Sequence, residues 1–175
     1  MAHTVRNITF AYVPREDRIL AAINAGFRDA WSLWLTRRLA LAVIERTAQY
    51  IAVSSDLTQR TPSDLRSEAV AFERDAAIAK TAQAMSTTPA DVVQATANWA
   101  ELAERLTIAR QAGGYRLELH GQSGDTATGL LKRPELQRLL QMLQVEVAKA
   151  GWVAPAAKPQ PAPAPAVADP KPARH

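Results

Sequence analysis

A chain of 175 residues, 47% hydrophobic and 22% charged, is long enough for one sizeable core and short enough to argue for a single domain. It holds no cysteine, which excludes disulfides, thiolate metal sites and cysteine nucleophiles and fits a reducing cytoplasm. The formal charge of +4 invites a nucleic-acid reading, but Lys158, Lys171 and Arg174 against Asp169 put +2 of it after residue 152, which leaves +2 for the body.

No basic segment followed by an apolar run stands at the start, and no stretch approaches the roughly 18 apolar residues of a membrane span. A cytoplasmic protein without a membrane partner is therefore expected. The segment Val5 to Val13 alternates, with Ile8, Phe10 and Tyr12 on one face, which predicts a strand. Pro14-Arg15-Glu16-Asp17 has turn chemistry and Arg18 to Asn24 resumes an apolar run, so the two form an antiparallel hairpin. After a reversal at Gly26 to Asp29, Trp31, Leu33 and Leu35 alternate with Ser32, Trp34 and Thr36 in a third strand.

Thr36 offers a hydroxyl cap to an amphipathic helix from Arg37 to about Val53, whose stripe is Leu39, Val43, Ile44, Ala48 and Ile51. Ser54 to Arg60 breaks it, and Thr61-Pro62-Ser63-Asp64 is the start signal of a helix through Met85. Thr88-Pro89-Ala90-Asp91 repeats that signal ahead of a short helix that gives way to a strand near Glu104. Gly113-Gly114 before Tyr115, Leu117 and Leu119 predicts a hairpin, and Gly121 to Asp125 a further turn. Thr126 to Leu131 is a third strand. Pro134 sits at the first turn of a helix with the stripe Leu136, Leu139, Leu140, Leu143 and Val147, which Gly151 is placed to end.

The second half restates the first. Ile8, Phe10 and Arg18-Ile19 have counterparts about 98 positions on at Leu106, Ile108 and Arg116-Leu117. Leu35, Arg37, Val43, Ile44 and Ile51 likewise match Leu131, Arg133, Leu139, Leu140 and Val147. The expected fold is α+β: two pseudo-repeated antiparallel strand-strand-strand-helix units, about 5–53 and 104–151, joined by a helical connector of about 61–99. Pseudo-twofold symmetry would relate the units within one domain, 1–152. The Pro/Ala/Lys segment 153–175 is expected to be a disordered tail, because it has too little apolar surface to offset the entropy of ordering.

Catalytic chemistry is nearly missing from the sequence. His120 is the one histidine away from the termini, and no acid or nucleophile motif accompanies it. Gly121-Gln122-Ser123-Gly124-Asp125 fits neither a nucleophile elbow nor a phosphate loop, and Glu68, Glu73 and Asp75 read as the solvated face of a helix. The chain is thus expected to be no enzyme and to need no metal or cofactor. Its leading function is that of an accessory or scaffold protein that binds a protein partner and self-associates, because exposed third strands would leave edges to be paired.

The alternative is single-stranded nucleic-acid binding. Trp34 lies on the face opposite Trp31, Leu33 and Leu35, and Arg18, Arg110 and Arg116 would lie near it, while Arg37, Arg38, Lys132 and Arg133 add local cationic clusters. Tandem units of antiparallel strands closed by a helix, here Val5 to Val53 and Glu104 to Gly151, resemble in topology the Whirly and Pur-alpha group. That resemblance implies single-stranded nucleic-acid binding. The chain departs from the group in having three predicted strands per unit where four are expected.

Overall fold

The computed structural model describes residues 1–53, 62, 65–82 and 96–152. The expected helix starts at Thr61 to Asp64 and Thr88 to Asp91, and the tail 153–175, fall largely or wholly outside the described residues. Seven strands make one sheet: β1 (Ala2–Thr4), β2 (Ile8–Val13), β3 (Arg18–Ile23), β4 (Trp31–Leu35), β5 (Glu101–Gln111), β6 (Gly114–Gly121) and β7 (Thr126–Leu131). Three helices accompany it, α1 (Arg37–Val53), α2 (Arg66–Ala82) and α3 (Arg133–Lys149), with a 3-10 turn at Thr96–Trp99. The fold is mixed α+β.

The strand order is β1-β7-β6-β5-β4-β3-β2. A flat sheet of that width would span about 29 Å at the usual strand spacing. Yet β1 and β2, at its opposite ends, are joined only by Val5, Arg6 and Asn7, a link that reaches about 14 Å at most. The sheet must therefore curl until its ends meet. Asn24, fully buried at the end of β3, fastens this corner. Its Oδ1 accepts from the backbone of Arg6 (2.9 Å) and Asn7 (3.4 Å), and its Nδ2 donates to the Thr4 carbonyl (2.8 Å) and to Asp29 (3.0 Å). Its φ of 52° lies in the left-handed region, where asparagine is among the better tolerated side chains.

The core fills the hollow of the curl. Ile19, Ile23, Leu33, Leu35, Leu117 and Leu119 from alternate strand positions meet the stripes of α1 and α3. Leu136, Leu139, Leu140, Leu143 and Val147 of α3 are all buried, as their spacing predicts. Thr36 Oγ1 accepts from the Leu39 amide at 3.3 Å, the expected cap. Gly151, at φ +66°, ends α3, and the Trp152 amide donates to the Val147 carbonyl.

Several expectations need correction. β1 is an added strand, pairing in parallel with β7 from Ala2↔Thr126 to Thr4↔Thr128. β5 starts at Glu101, before the expected Glu104. A bulge between Ala103 and Arg105 shifts the alternation there, so that the apolar residues Leu102 and Leu106 imitate helical spacing. β4 and β5 pair in parallel, and the strands follow chain order from β2 to β7. The third strands are not edges either. β4 is paired on both sides by β3 and β5, and β7 by β6 and β1, which removes the stated reason for self-association.

Candidate functional site

The least satisfied backbone in the sheet belongs to β5. Its parallel ladder with β4 consists of Leu33↔Glu101 and Trp34↔Leu102, after which β4 stops at Leu35 and the chain turns into α1. β5 continues to Gln111, so Arg105 to Gln111 pair with β6 alone, and Glu104 stands in the bulge without a strand partner. In such a ladder, every second residue directs its N–H and C=O away from the partner. Among the described residues no further backbone bond reaches that side of Glu104 to Gln111.

Beside this edge lies a cleft of about 230 Å³ between α1 and β5. Leu39, Val43, Leu106 and Ile108 give it an apolar floor, and Arg46 and Tyr50 stand at its rim. Leu106, Thr107 and Ile108 all line it. Three consecutive strand residues cannot do so with side chains from one face, so the cleft runs along the backbone edge itself. Helical periodicity explains the α1 wall: Leu39, Val43, Arg46 and Tyr50 recur at three- and four-residue steps, one face of the helix.

The charge around the cleft is unbalanced. Arg37, Arg38, Arg46 and Arg110 are exposed and make no ion pair among the described residues. Glu45 and Glu104 are the exposed acids on the same two elements beside them. Arg37, Arg38 and Arg110 were singled out by sequence; Arg46, Leu39 and the edge of β5 were not. The signal that identifies them is the difference in length between β4 and β5, which only the register reveals.

The other singled-out residues are placed differently. Arg133 is a strut of the fold: it pairs with Glu73 of α2, donates to the Ile51 carbonyl at 2.9 Å and reaches the Tyr115 hydroxyl at 3.3 Å. Burial opposes its charge, but Glu73 outweighs that and raises its pKa. Glu73 is thereby partly buried and paired, whereas Glu68 and Asp75 are exposed. Lys132 is exposed at the start of α3, where its backbone amide donates to Glu135. Arg116 pairs with Glu118 at 2.6 Å on the outer face of β6.

Trp34 does not form an open platform. It points away from the helices, as expected, and packs half-buried with Leu20, Ala22 and Ala25 beneath Ala97 and Ala100 of the connector. Arg18 shares that outer face. Arg110 and Arg116 are far from it: Trp34 is level with Leu102, and Arg110 lies eight residues further along β5, about 26 Å away at the usual strand rise. His120 is on the outer face too, with Nε2 3.2 Å from the Arg105 guanidinium.

At the opposite end of the curl Glu101 gathers three donors, the Trp31 indole N–H (2.8 Å), the Ser123 amide (2.5 Å) and the Ser123 hydroxyl (2.8 Å). Burial raises its pKa, but these hydrogen bonds outweigh burial and leave it below the ordinary glutamate range. A carboxylate so held is a poor proton acceptor and a good anchor for the Gly121 to Asp125 turn. Gly121 is needed for the approach, because a Cβ there would come within 2.5 Å of the carboxylate. Among the described residues no cluster of histidine and acidic side chains could hold a metal ion, and no helix is long and apolar enough to cross a membrane.

No family model matches the chain, and neither a curated protein nor a solved structure is similar to it.

Proposed function

We propose that the chain is a non-enzymatic accessory protein whose task is to bind a protein partner in the groove between α1 and β5. One observation carries the reading: seven residues of β5, Arg105 to Gln111, have a strand neighbour on one side only, beside an apolar cleft. Unpaired strand edges are normally blunted or covered in folded proteins, and an exposed one marks a place where another chain can pair.

We also propose that the halves are one unit used twice. Each is three antiparallel strands followed by a helix, and the pairings superpose if β2 is offset by 98 and β3 and β4 by 96. The change of offset falls at the first hairpin, where the four residues Pro14 to Asp17 correspond to Ala112 and Gly113. Ile19 then aligns with Tyr115 instead of Leu117.

Nucleic-acid binding has less support, since Trp34 is covered and the arginines assigned to it are dispersed. The test is a photo-crosslinking amino acid at Arg46, with the same group at Glu68 as control, activated in cells that express the full chain. A protease-sensitive adduct specific to Arg46 is expected. A nuclease-sensitive adduct, or equal adducts at both positions, would contradict the reading.

A further inference from the structure

We infer that the occupant of this groove is an extended acidic segment of a partner protein, added to the sheet as a strand beside β5. The inference rests on the proposed protein-binding groove and specifies what enters it. Three features select an extended segment over a docked helix. The edge offers main-chain donors and acceptors at every second residue from Glu104 to Gln111, which a helix cannot satisfy because its own backbone is already paired. The vacant place is the direct continuation of β4, so the twist of the sheet is already set for another strand. Leu39, Val43, Leu106 and Ile108 lie on one side of that place, which suits a segment with an apolar residue at alternate positions.

Charge selects the acidic class. Arg46 stands at the rim of the groove, and Arg37, Arg38 and Arg110 are exposed on the two elements that wall it, none with an ion-pair partner among the described residues, against Glu45 and Glu104. Rim charges of this kind govern partner choice and association rate more than total affinity. They disfavour the chain's own segment 153–175 as occupant, because it carries a net +2 and prolines at alternate positions from Pro159 to Pro165. The aliphatic floor, in contrast, disfavours nucleic acid, because it offers no aromatic face on which bases could stack.

The test is selection of a random twelve-residue peptide library on the full chain, with R46E/R110E as a parallel target. Both arginines are exposed and unpaired, so this variant keeps the fold. Enriched peptides should alternate apolar residues with Asp or Glu, bind the parent at least about tenfold more tightly than R46E/R110E, and lose binding when N-methylated at alternate residues. Their contacts, read from amide shifts, should fall on Glu104 to Gln111 and α1. Enriched peptides that are basic, or that tolerate N-methylation while still contacting the groove, would overturn the acidic strand and leave the groove reading standing. Contacts elsewhere, or no enrichment over an unrelated protein, would overturn both. Self-association of the full chain that R46E/R110E abolishes would make the occupant a second copy and overturn the acidic partner segment.

Discussion

The seam where β2 meets the β1 corner and the overhang of β5 are both sheet edges, and two buried polar residues, Asn24 and Glu146, bond backbone groups at the first. At the seam, Asn24 makes four side-chain hydrogen bonds across the corner. Glu146, buried on α3, accepts from the Tyr12 amide of β2 at 2.8 Å and pairs with Lys149 at 2.6 Å. Along β5, among the described residues, no side chain reaches the outward backbone from Glu104 to Gln111. Closing an edge needs a partner supplied from far along the chain. Where none is supplied, the edge is available to another molecule.

The comparison can be broken hardest at Asn24. Asn24→Ala removes the side-chain partner of the Thr4 carbonyl and of the Arg6 and Asn7 amides, all part-buried bonds, and should cost about 3 kcal/mol, read by denaturant unfolding. Glu146→Ala removes one acceptor from the Tyr12 amide, and a loss of about 2 kcal/mol is expected in the same measurement. Should either change prove neutral, the seam is not held by these groups.

Glu101 gives a smaller effect that depends on pH. Its folded pKa lies below the ordinary value of 4.5, so its contribution is present above the unfolded pKa and is lost as pH falls through the folded one. Glu101→Gln should therefore flatten the acid limb of the stability profile below about pH 4.5 and leave its shape at neutral pH unchanged. An identical acid limb in the variant would contradict the assignment. Smallest of all, R46E/R110E should change stability by no more than about 0.5 kcal/mol, because both side chains are solvated and unpaired.

Local pattern made β2 to β4, α1 and α3 legible, because in each a single face is buried and the apolar period shows it. β1 was hidden by its shortness and polarity: Ala2, His3 and Thr4 carry no alternation, and pairing with β7 alone makes them a strand. The beginning of β5 was hidden by its bulge. Sheet order, and with it the curl, the β4–β5 step and the overhang, depends on partners as much as 124 residues apart, which no window of sequence contains. The polar anchors were hidden for the same reason. Asn24 reads as the end of a strand and Arg133 as part of a cationic cluster until their distant partners are in place.

Amide hydrogen exchange of the full chain, resolved residue by residue, tests the contrast between the two edges most directly. The Tyr12 amide should be protected, and along Glu104 to Gln111 protection should alternate, with the outward amides exchanging at least about a hundredfold faster than those directed at β6. Uniform protection along β5 would mean that its edge is already covered, and the groove would not be a place for another chain.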